Sequence, residues 1–470
     1  MAVLAVAAMV VAMTPRTSSG PVALSATTTP NRRADLLILG GGSGGLGAAM
    51  AARHAGKSVI LVNAGPIGGD CTFTGCVPSK TLLAASAQGA TFSDAMERVR
   101  ATIEEIAATE TADVLAAEGI PVVDGWGRMR PGGAVEVDGT RFEGERTIIA
   151  TGTAPFVPPI PGLESVDVLT NEELFDLREA PASLAILGGG PIGLEMAQAF
   201  ARFGIPVTVF EAEDRVLPRE EPEASDLIAD VLRRDGIDVR TGSRVEKVEK
   251  VDGGGIRLVD GGGAVVEAEQ LLVAVGRRAV TEGMGLDAAG ITVDERGYIV
   301  TSDDLSTSTE GVYAVGDITG RVQLTHAAFE MGRLAADNAF ARRAKRFDAD
   351  LVPQCVFTSP EVARVGAVER DAAGRKVRVA EWPMSAVDRA VTDGRTDGFV
   401  KLISAPKPLI GNRVGGGRVV GATIVADRAG EMIHEPALAM SSGMFTGRLA
   451  LTSHAYPTWS MAVQQCAALF

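Results

Sequence analysis

The sequence predicts an α/β fold built on two copies of one strand–turn–helix unit and closed by an α+β segment. Three observations carry this. Asp35-Leu-Leu-Ile-Leu39 runs into Gly40-Gly-Gly42-Ser43-Gly44-Gly45 and then an Ala-rich helix from Leu46 to Ala55. Ser183-Leu-Ala-Ile-Leu187 runs into Gly188-Gly-Gly190-Pro-Ile192-Gly193 and a helix through Phe203. The 470-residue chain alternates short apolar runs with helical stretches, and its 56 glycines and 46% hydrophobic content suit layered domains with many tight turns.

Each unit carries G-x-G-x-x-G between a buried strand and a helix, the setting that binds a dinucleotide. Gly40 and Gly188 permit the tight turn. Gly42 and Gly190 let the backbone approach a pyrophosphate, and Gly45 and Gly193 let helix and strand pack closely. Ser43, Gly44 and Ile192 lie in the same turns, where the helix N-terminus offers N–H groups and a favourable dipole to an anion. A second strand follows each helix. Lys57–Val62 leads to Asn63-Ala64, so the usual ribose-binding acid is absent and Asn63 is expected to reach a ribose hydroxyl more weakly. Pro206–Phe210 ends on Glu211. An acid there accepts the 2′-hydroxyl of NAD and repels the 2′-phosphate of NADP, so NAD(H) is preferred to NADP(H), although Arg215 keeps NADP within reach.

Gly68-Gly69-Asp70-Cys71-Thr-Phe-Thr-Gly-Cys76-Val-Pro-Ser-Lys80 follows the first unit. Cys71 and Cys76 stand five positions apart in a chain of four cysteines, and one helical turn would bring them together. So short a loop gains little from a permanent cross-link, which makes a reversible dithiol the better reason for the pair.

Cys-x4-Cys-x-Pro-Ser-Lys between two such fingerprints resembles the class I pyridine nucleotide–disulfide oxidoreductases, a family that includes mercuric reductase and dihydrolipoamide dehydrogenase. Further matches are Thr147-Ile-Ile-Ala-Thr151-Gly152, Leu271-Leu-Val-Ala-Val-Gly276-Arg277, Val312-Tyr-Ala-Val-Gly-Asp317, Thr325-His326-Ala327 and Val356-Phe-Thr-Ser-Pro-Glu361. The likeness covers residues 34–465.

The resemblance implies FAD at the first fingerprint and a nicotinamide at the second. A hydride would pass from nicotinamide to flavin, and electrons on to the Cys71–Cys76 disulfide. It makes Cys76 the flavin-side thiolate and Cys71 the exposed interchange thiol, both with pKa values lowered by a helix N-terminus. Lys80, one turn after Cys76, would reach the flavin and pair with Glu195, since a buried lysine needs a partner. Asp317 would hold the ribityl chain. Gly69, Asp70, Gly127, Thr151 and Gly152 would line FAD, and Gly276 the nicotinamide. The implied domains are 35–153 with 277–345 for FAD, 154–276 for NAD(P), and 346–470 for a homodimer interface. Within them, Leu82–Glu118 reads as largely helical, and Gly125–Gly127 and Val135–Val137 as short strands. Phe399–Ile403 and Val419–Val425 read as strands around a loose loop at Gly411–Gly417.

The C-terminus departs from the family. Disulfide-reducing members carry His-Pro-Thr-x-x-Glu, whose His is the acid/base for the interchange thiol. Here Tyr456-Pro-Thr-Trp-Ser-Met461 stands in that place. Tyrosine titrates near pH 10 and is a poor base at neutral pH. Tyr456 therefore joins Cys71, Cys76, Lys80 and Glu195 as a catalytic candidate of altered chemistry. His454 is expected to be structural, and Cys355 and Cys466 packed rather than reactive. The expected acceptor is a small molecule: a soft metal ion such as mercuric ion, a quinone-like compound or an unusual disulfide. The alternatives are a dihydrolipoamide dehydrogenase and a low-turnover flavin redox sensor. No resident metal site is expected.

A net charge of −14 argues against nucleic acid and anionic membrane surfaces as partners. Met1–Met13 is apolar but too short to span a bilayer, so no stable membrane insertion is expected. Residues 14–34 are rich in Ser, Thr and Pro and carry Arg16, Arg32 and Arg33 with no acid before Asp35. Residues 1–34 therefore read as a plastid or mitochondrial targeting segment, with a cytoplasmic protein as the alternative if they are only a disordered extension.

Overall fold

The computed structural model describes residues 32–251, 254–372, 374, 376–406 and 415–470. The targeting expectation falls almost wholly outside these residues, as does most of the Gly411–Gly417 loop. The described chain forms two compact units. One takes the chain up to Pro78, Arg100–Ala154 and Arg277–Phe347; the other takes Ser79–Val99, Pro155–Gly276 and Asp348–Phe470.

The first unit is built on a parallel sheet in the order Val122–Asp124, Val59–Asn63, Arg33–Leu39, Thr140–Ile149. Leu36, Leu37, Ile38 and Leu39 are all buried, as a parallel strand covered on both faces requires. Thr140–Ile149 is ten residues long and serves two layers. Its C-terminal part pairs parallel with Arg33–Leu39 and Val312–Ala314; its first residues pair antiparallel with Val135–Val137. Helices Ser43–His54 and Thr325–Phe340 pack closely: a Cβ on Gly332 would lie 2.9 Å from the Ala48 nitrogen.

The second unit holds a four-stranded parallel sheet in the order Asp238–Arg240, Val207–Phe210, Leu184–Leu187, Gln270–Val273, with helix Pro191–Arg202 following Leu184–Leu187. It also holds a five-stranded antiparallel sheet, Gln354–Val356, Glu361–Gly366, Arg418–Ala426, Phe399–Ala405 and Arg378–Pro383. Met461–Ala468 packs on that sheet's core beside Val400, Leu402 and Ile424.

Two expectations need correction, the first helix start and the Gly125–Gly127 strand. The first fingerprint helix starts at Ser43, not Leu46, so Gly44 and Gly45 are helical; first-turn residues have no intrahelical N–H partner, and glycine costs least there. Residues 82–118 are largely helical as expected, in the helices Cys76–Ala87, Phe92–Ala107 and Ala112–Ala117 with short breaks between them. Gly125–Gly127 is a connection between strands Val122–Asp124 and Arg128–Met129, because Gly125 takes φ +136°, outside strand geometry.

Candidate functional site

The two glycine turns are built alike. Gly40 has φ +110° and Gly188 φ +111°, both strained for any other residue. A Cβ on Gly45 would press on the Gly40 carbonyl, and one on Gly193 on the Gly188 carbonyl, so helix and turn touch backbone to backbone. Gly42 and Gly190 differ from these. Their φ values are −78° and −82°, and a Cβ on either would meet no protein atom within 4 Å. Neither conformation nor internal packing demands glycine there. Each is followed by a 12-residue helix with no side-chain cap at its N-terminus. A close-approaching anionic ligand accounts for all three features, so the residues present fit a dinucleotide at each turn.

The residues after the second strands hold these turns. Asn63 Oδ1 accepts the Gly41 N–H at 2.7 Å and its Nδ2 donates to the Gly65 carbonyl at 2.8 Å. Glu211 Oε2 accepts the Gly189 N–H at 2.7 Å, while Oε1 accepts the Glu213 N–H at 2.8 Å. The buried Asn63 is thus a loop brace, where a ribose contact was expected. Ile192 is exposed at the start of its helix, and Gly44 packs against Val315 and Ala328.

The redox loop hangs from the first turn. The Gly68 N–H donates to the Gly41 carbonyl at 2.9 Å, and a Cβ on Gly69 would lie 3.2 Å from Gly42 Cα. Cys71 sits on the short helix Asp70–Phe73 and Cys76 opens the separate helix Cys76–Ala87, so two helices, not a single turn, present the pair. Gly75 makes the break tight: a Cβ there would lie 2.7 Å from the Asp70 carbonyl oxygen. The two side chains are in hydrogen-bond contact, and Cys76 Sγ lies 3.4 Å from Thr325 Oγ1. Cys71 is the half-buried member of the pair and Cys76 the exposed one. The hydrogen bond to Cys76 and then burial push the Cys71 thiol up, against the expected lowering. A four-residue helix has little dipole to offer against those two effects.

Lys80 and Glu195 meet as expected. Lys80 Nζ lies 2.8 Å from Glu195 Oε2, with Glu195 only 4% exposed. The other carboxylate oxygen accepts the Phe357 N–H at 3.0 Å, and Nζ stands 4.5 Å from the Phe357 ring centroid. Phe357 thus completes the pair from both sides. Its motif was visible in the sequence, but its contacts were not.

Asp317 is largely buried, which raises its pKa, while Arg277 and the Thr153 hydroxyl at 3.2 Å oppose that. Arg277 also bonds Thr153 Oγ1 at 2.6 Å and pairs with Asp70, a clamp that the sequence did not signal. Thr151 donates to the Val280 carbonyl at 3.3 Å. Gly152 (φ +70°) and Gly276 (φ +142°) have open space where a Cβ would be, as a ligand contact requires. Gly127 does not: a Cβ there would lie 2.8 Å from Val135 Cγ1, so core packing explains that glycine.

At the C-terminus, Tyr456 is 69% exposed and donates to Asp388 Oδ2 at 2.7 Å, which pushes its hydroxyl above the usual tyrosine range. The His454 side chain is 6% exposed, with Nε2 2.9 Å from Glu435 and Nδ1 2.9 Å from the Thr452 carbonyl. Both ring nitrogens are engaged, as a structural histidine's would be. Cys466 is buried, bonds the Ala380 and Val400 carbonyls at 3.3 Å, and is pushed up to about 12 by burial. Cys355 is likewise pushed up by burial.

Comparison with known proteins agrees with this geometry. Residues 34–332 match the pyridine nucleotide-disulphide oxidoreductase model, and residues 352–467 match that family's dimerisation domain. Mercuric reductase of Streptomyces lividans is 36% identical over 463 residues, covering 93% of this chain and 96% of that protein. Dihydrolipoyl dehydrogenase of Thermus scotoductus is 34% identical over 456 residues, covering 92% and 96%. The Cu(II) complex of the HOCl-induced flavoprotein disulfide reductase RclA from Escherichia coli superposes with a TM-score of 0.84 at 30% identity, covering 93% of this chain and 99% of that one. FAD supplies the two-electron link between nicotinamide and disulfide in such a protein, and Gly42 with the uncapped helix Ser43–His54 would hold its pyrophosphate here. The chain belongs to the pyridine nucleotide-disulphide oxidoreductases and is an NAD(P)H-dependent FAD enzyme with a cysteine-disulfide intermediate.

Proposed function

We propose that electrons from NAD(H) reach the Cys71–Cys76 pair and leave it for a soft metal ion, with mercuric ion as the reference substrate. Two electrons take mercuric ion to the neutral metal, and NADH becomes NAD+ with release of one proton. One observation carries this choice of acceptor. Reducing a disulfide needs a group that protonates a leaving thiolate, and the C-terminal candidates are poorly suited to that task. His454 is tied to Glu435 and Thr452, and Tyr456 is tied to Asp388. A metal ion has no leaving thiol to protonate. The relatives named as mercuric reductases and the Cu(II)-bound RclA support the same class of acceptor.

The remaining assignments belong to this reading. Glu211, followed by Glu213 and Asp214, favours NAD over NADP through its charge. Residues 35–153 with 277–345 would bind FAD, 154–276 the nicotinamide, and 346–470 would form a homodimer. The exposed Leu438, Leu451 and Leu469 support the last of these, together with the dimerisation-domain match.

The test is an acceptor panel on the FAD-loaded protein, with NADH and NADPH compared. Mercuric or cupric ion should drive NADH oxidation, and Cys71→Ser should abolish it. Lipoamide turnover should be low and should rise in the Tyr456→His, Met461→Glu double variant. Strong lipoamide turnover without metal-dependent oxidation would replace this reading with a dihydrolipoamide dehydrogenase. Metal-dependent activity that survives Cys71→Ser would show that the dithiol is bypassed.

A further inference from the structure

Glu110 lies on the connection between helices Phe92–Ala107 and Ala112–Ala117, outside every motif of the sequence. Its Oε2 accepts the Thr72 hydroxyl at 2.9 Å and fills the space that a Cβ on Gly68 would need. Glu110 therefore touches the glycine that opens the redox loop and the residue that follows Cys71. Thr72 is buried, so this hydrogen bond is sheltered from water and holds the pitch of the helix Asp70–Phe73.

The reduced pair needs a rule for where its proton sits. Two electrons and one proton turn the disulfide into one thiol and one thiolate. The groups around it are Thr325, Asp70 paired with Arg277, Asp317 beside Arg277, and Glu110. The two aspartates face a guanidinium that offsets their charge. Among the described residues Glu110 forms no ion pair, so its field acts on Cys71 without a neighbouring cation to cancel it.

We propose that Glu110 is a positioning residue for the dithiol, fixing the Cys71 helix through Thr72 and keeping the proton of the reduced pair on Cys71, with Cys76 as the thiolate. This rests on the disulfide-relay reading of the pair. The Cys71 shift runs the same way: the Cys76 hydrogen bond and burial are its main causes, and the Glu110 charge adds a smaller push in that direction. The charge thereby takes part in controlling the exchange thiol, a task that falls elsewhere in the family to the histidine that Tyr456 replaces.

Glu110→Gln keeps the size and the acceptor for Thr72 but removes the charge. The holoenzyme, reduced anaerobically with NADH, is alkylated with iodoacetamide from pH 6 to 9, and each cysteine is followed by mass spectrometry. At pH 7 the Gln variant should label Cys71 about three- to tenfold faster than wild type, with its profile displaced to lower pH. Thr72→Val removes the hydrogen bond; because that bond opposes the upward push of burial on the Glu110 carboxyl, the control is read at the alkaline end of the range, where the charge is retained and labelling should stay near that of wild type. An unchanged profile in Glu110→Gln, or equal displacements in the two variants, would overturn the role of the charge. Reduction that uncovers no alkylatable thiol in wild type would instead overturn the relay reading, and the role of Glu110 with it.

Discussion

Alanine at Gly42 and alanine at Gly45 should fail in opposite ways. Gly42 has φ −78° and ψ −174°, which any residue adopts, and its Cβ would meet no protein atom within 4 Å. Gly42→Ala should therefore leave the apoprotein as stable as wild type or more stable, by up to about 1 kcal/mol, through reduced freedom of the unfolded chain. The methyl would project where the pyrophosphate must come, and FAD affinity should fall at least about tenfold, or about 1.4 kcal/mol. A Cβ on Gly45 would lie 3.0 Å from the Gly40 carbonyl carbon and closer still to its oxygen. Backbone atoms yield little, so overpacking of about 2–3 kcal/mol outweighs the roughly 1 kcal/mol that alanine gains in a helix. Urea unfolding of the apoproteins reads the first difference and FAD fluorescence titration the second. If Gly42→Ala destabilised the apoprotein as much as Gly45→Ala, or bound FAD with wild-type affinity, the assignment of this turn to a ligand would be wrong.

Three further outcomes follow from the site. Glu195→Gln and Lys80→Met should each destabilise the fold, while the double variant costs less than their sum. The pair is buried on the glutamate side and about a third exposed on the lysine side, so a coupling of about 1–3 kcal/mol is expected in denaturation, and strict additivity would refute the pair. Burial raises Glu361 from its ordinary value near 4.5 to about 7, so the folded state favours the neutral acid. Its stability is complete below about pH 4.5 and declines as pH rises through 7. Glu361→Gln should stabilise by about 2 kcal/mol at pH 8 and not at pH 4, and equal effects at both would contradict this. Burial pushes His454 down, but the Glu435 hydrogen bond, the Thr452 carbonyl and the Glu435 charge raise it overall. Its contribution is full below about pH 6.5 and is lost as pH rises through the raised folded value, so His454→Gln should flatten that part of the stability profile.

The sequence by itself determined the two dinucleotide folds, the dithiol between them and the departure at Tyr456 and Met461. These are local signals: a glycine pattern between strand and helix, two cysteines in one segment, a residue standing in another's place. The Lys80–Glu195 pair was legible through the family likeness alone, since 115 positions separate its members. Tertiary structure decided what each polar group does. Asn63 and Glu211 end equivalent strands, and only the fold shows both bracing a glycine N–H. Gly42 and Gly127 look alike as letters, yet one faces open space and the other faces Val135. The Cys71 thiol is pushed up rather than down: the neighbouring sulfur of Cys76 lies in the same segment, but the burial and the Glu110 charge that add to its effect come from segments distant in sequence. Electrostatic and packing effects depend on distance in space, and a chain's order of residues does not carry that distance until it folds.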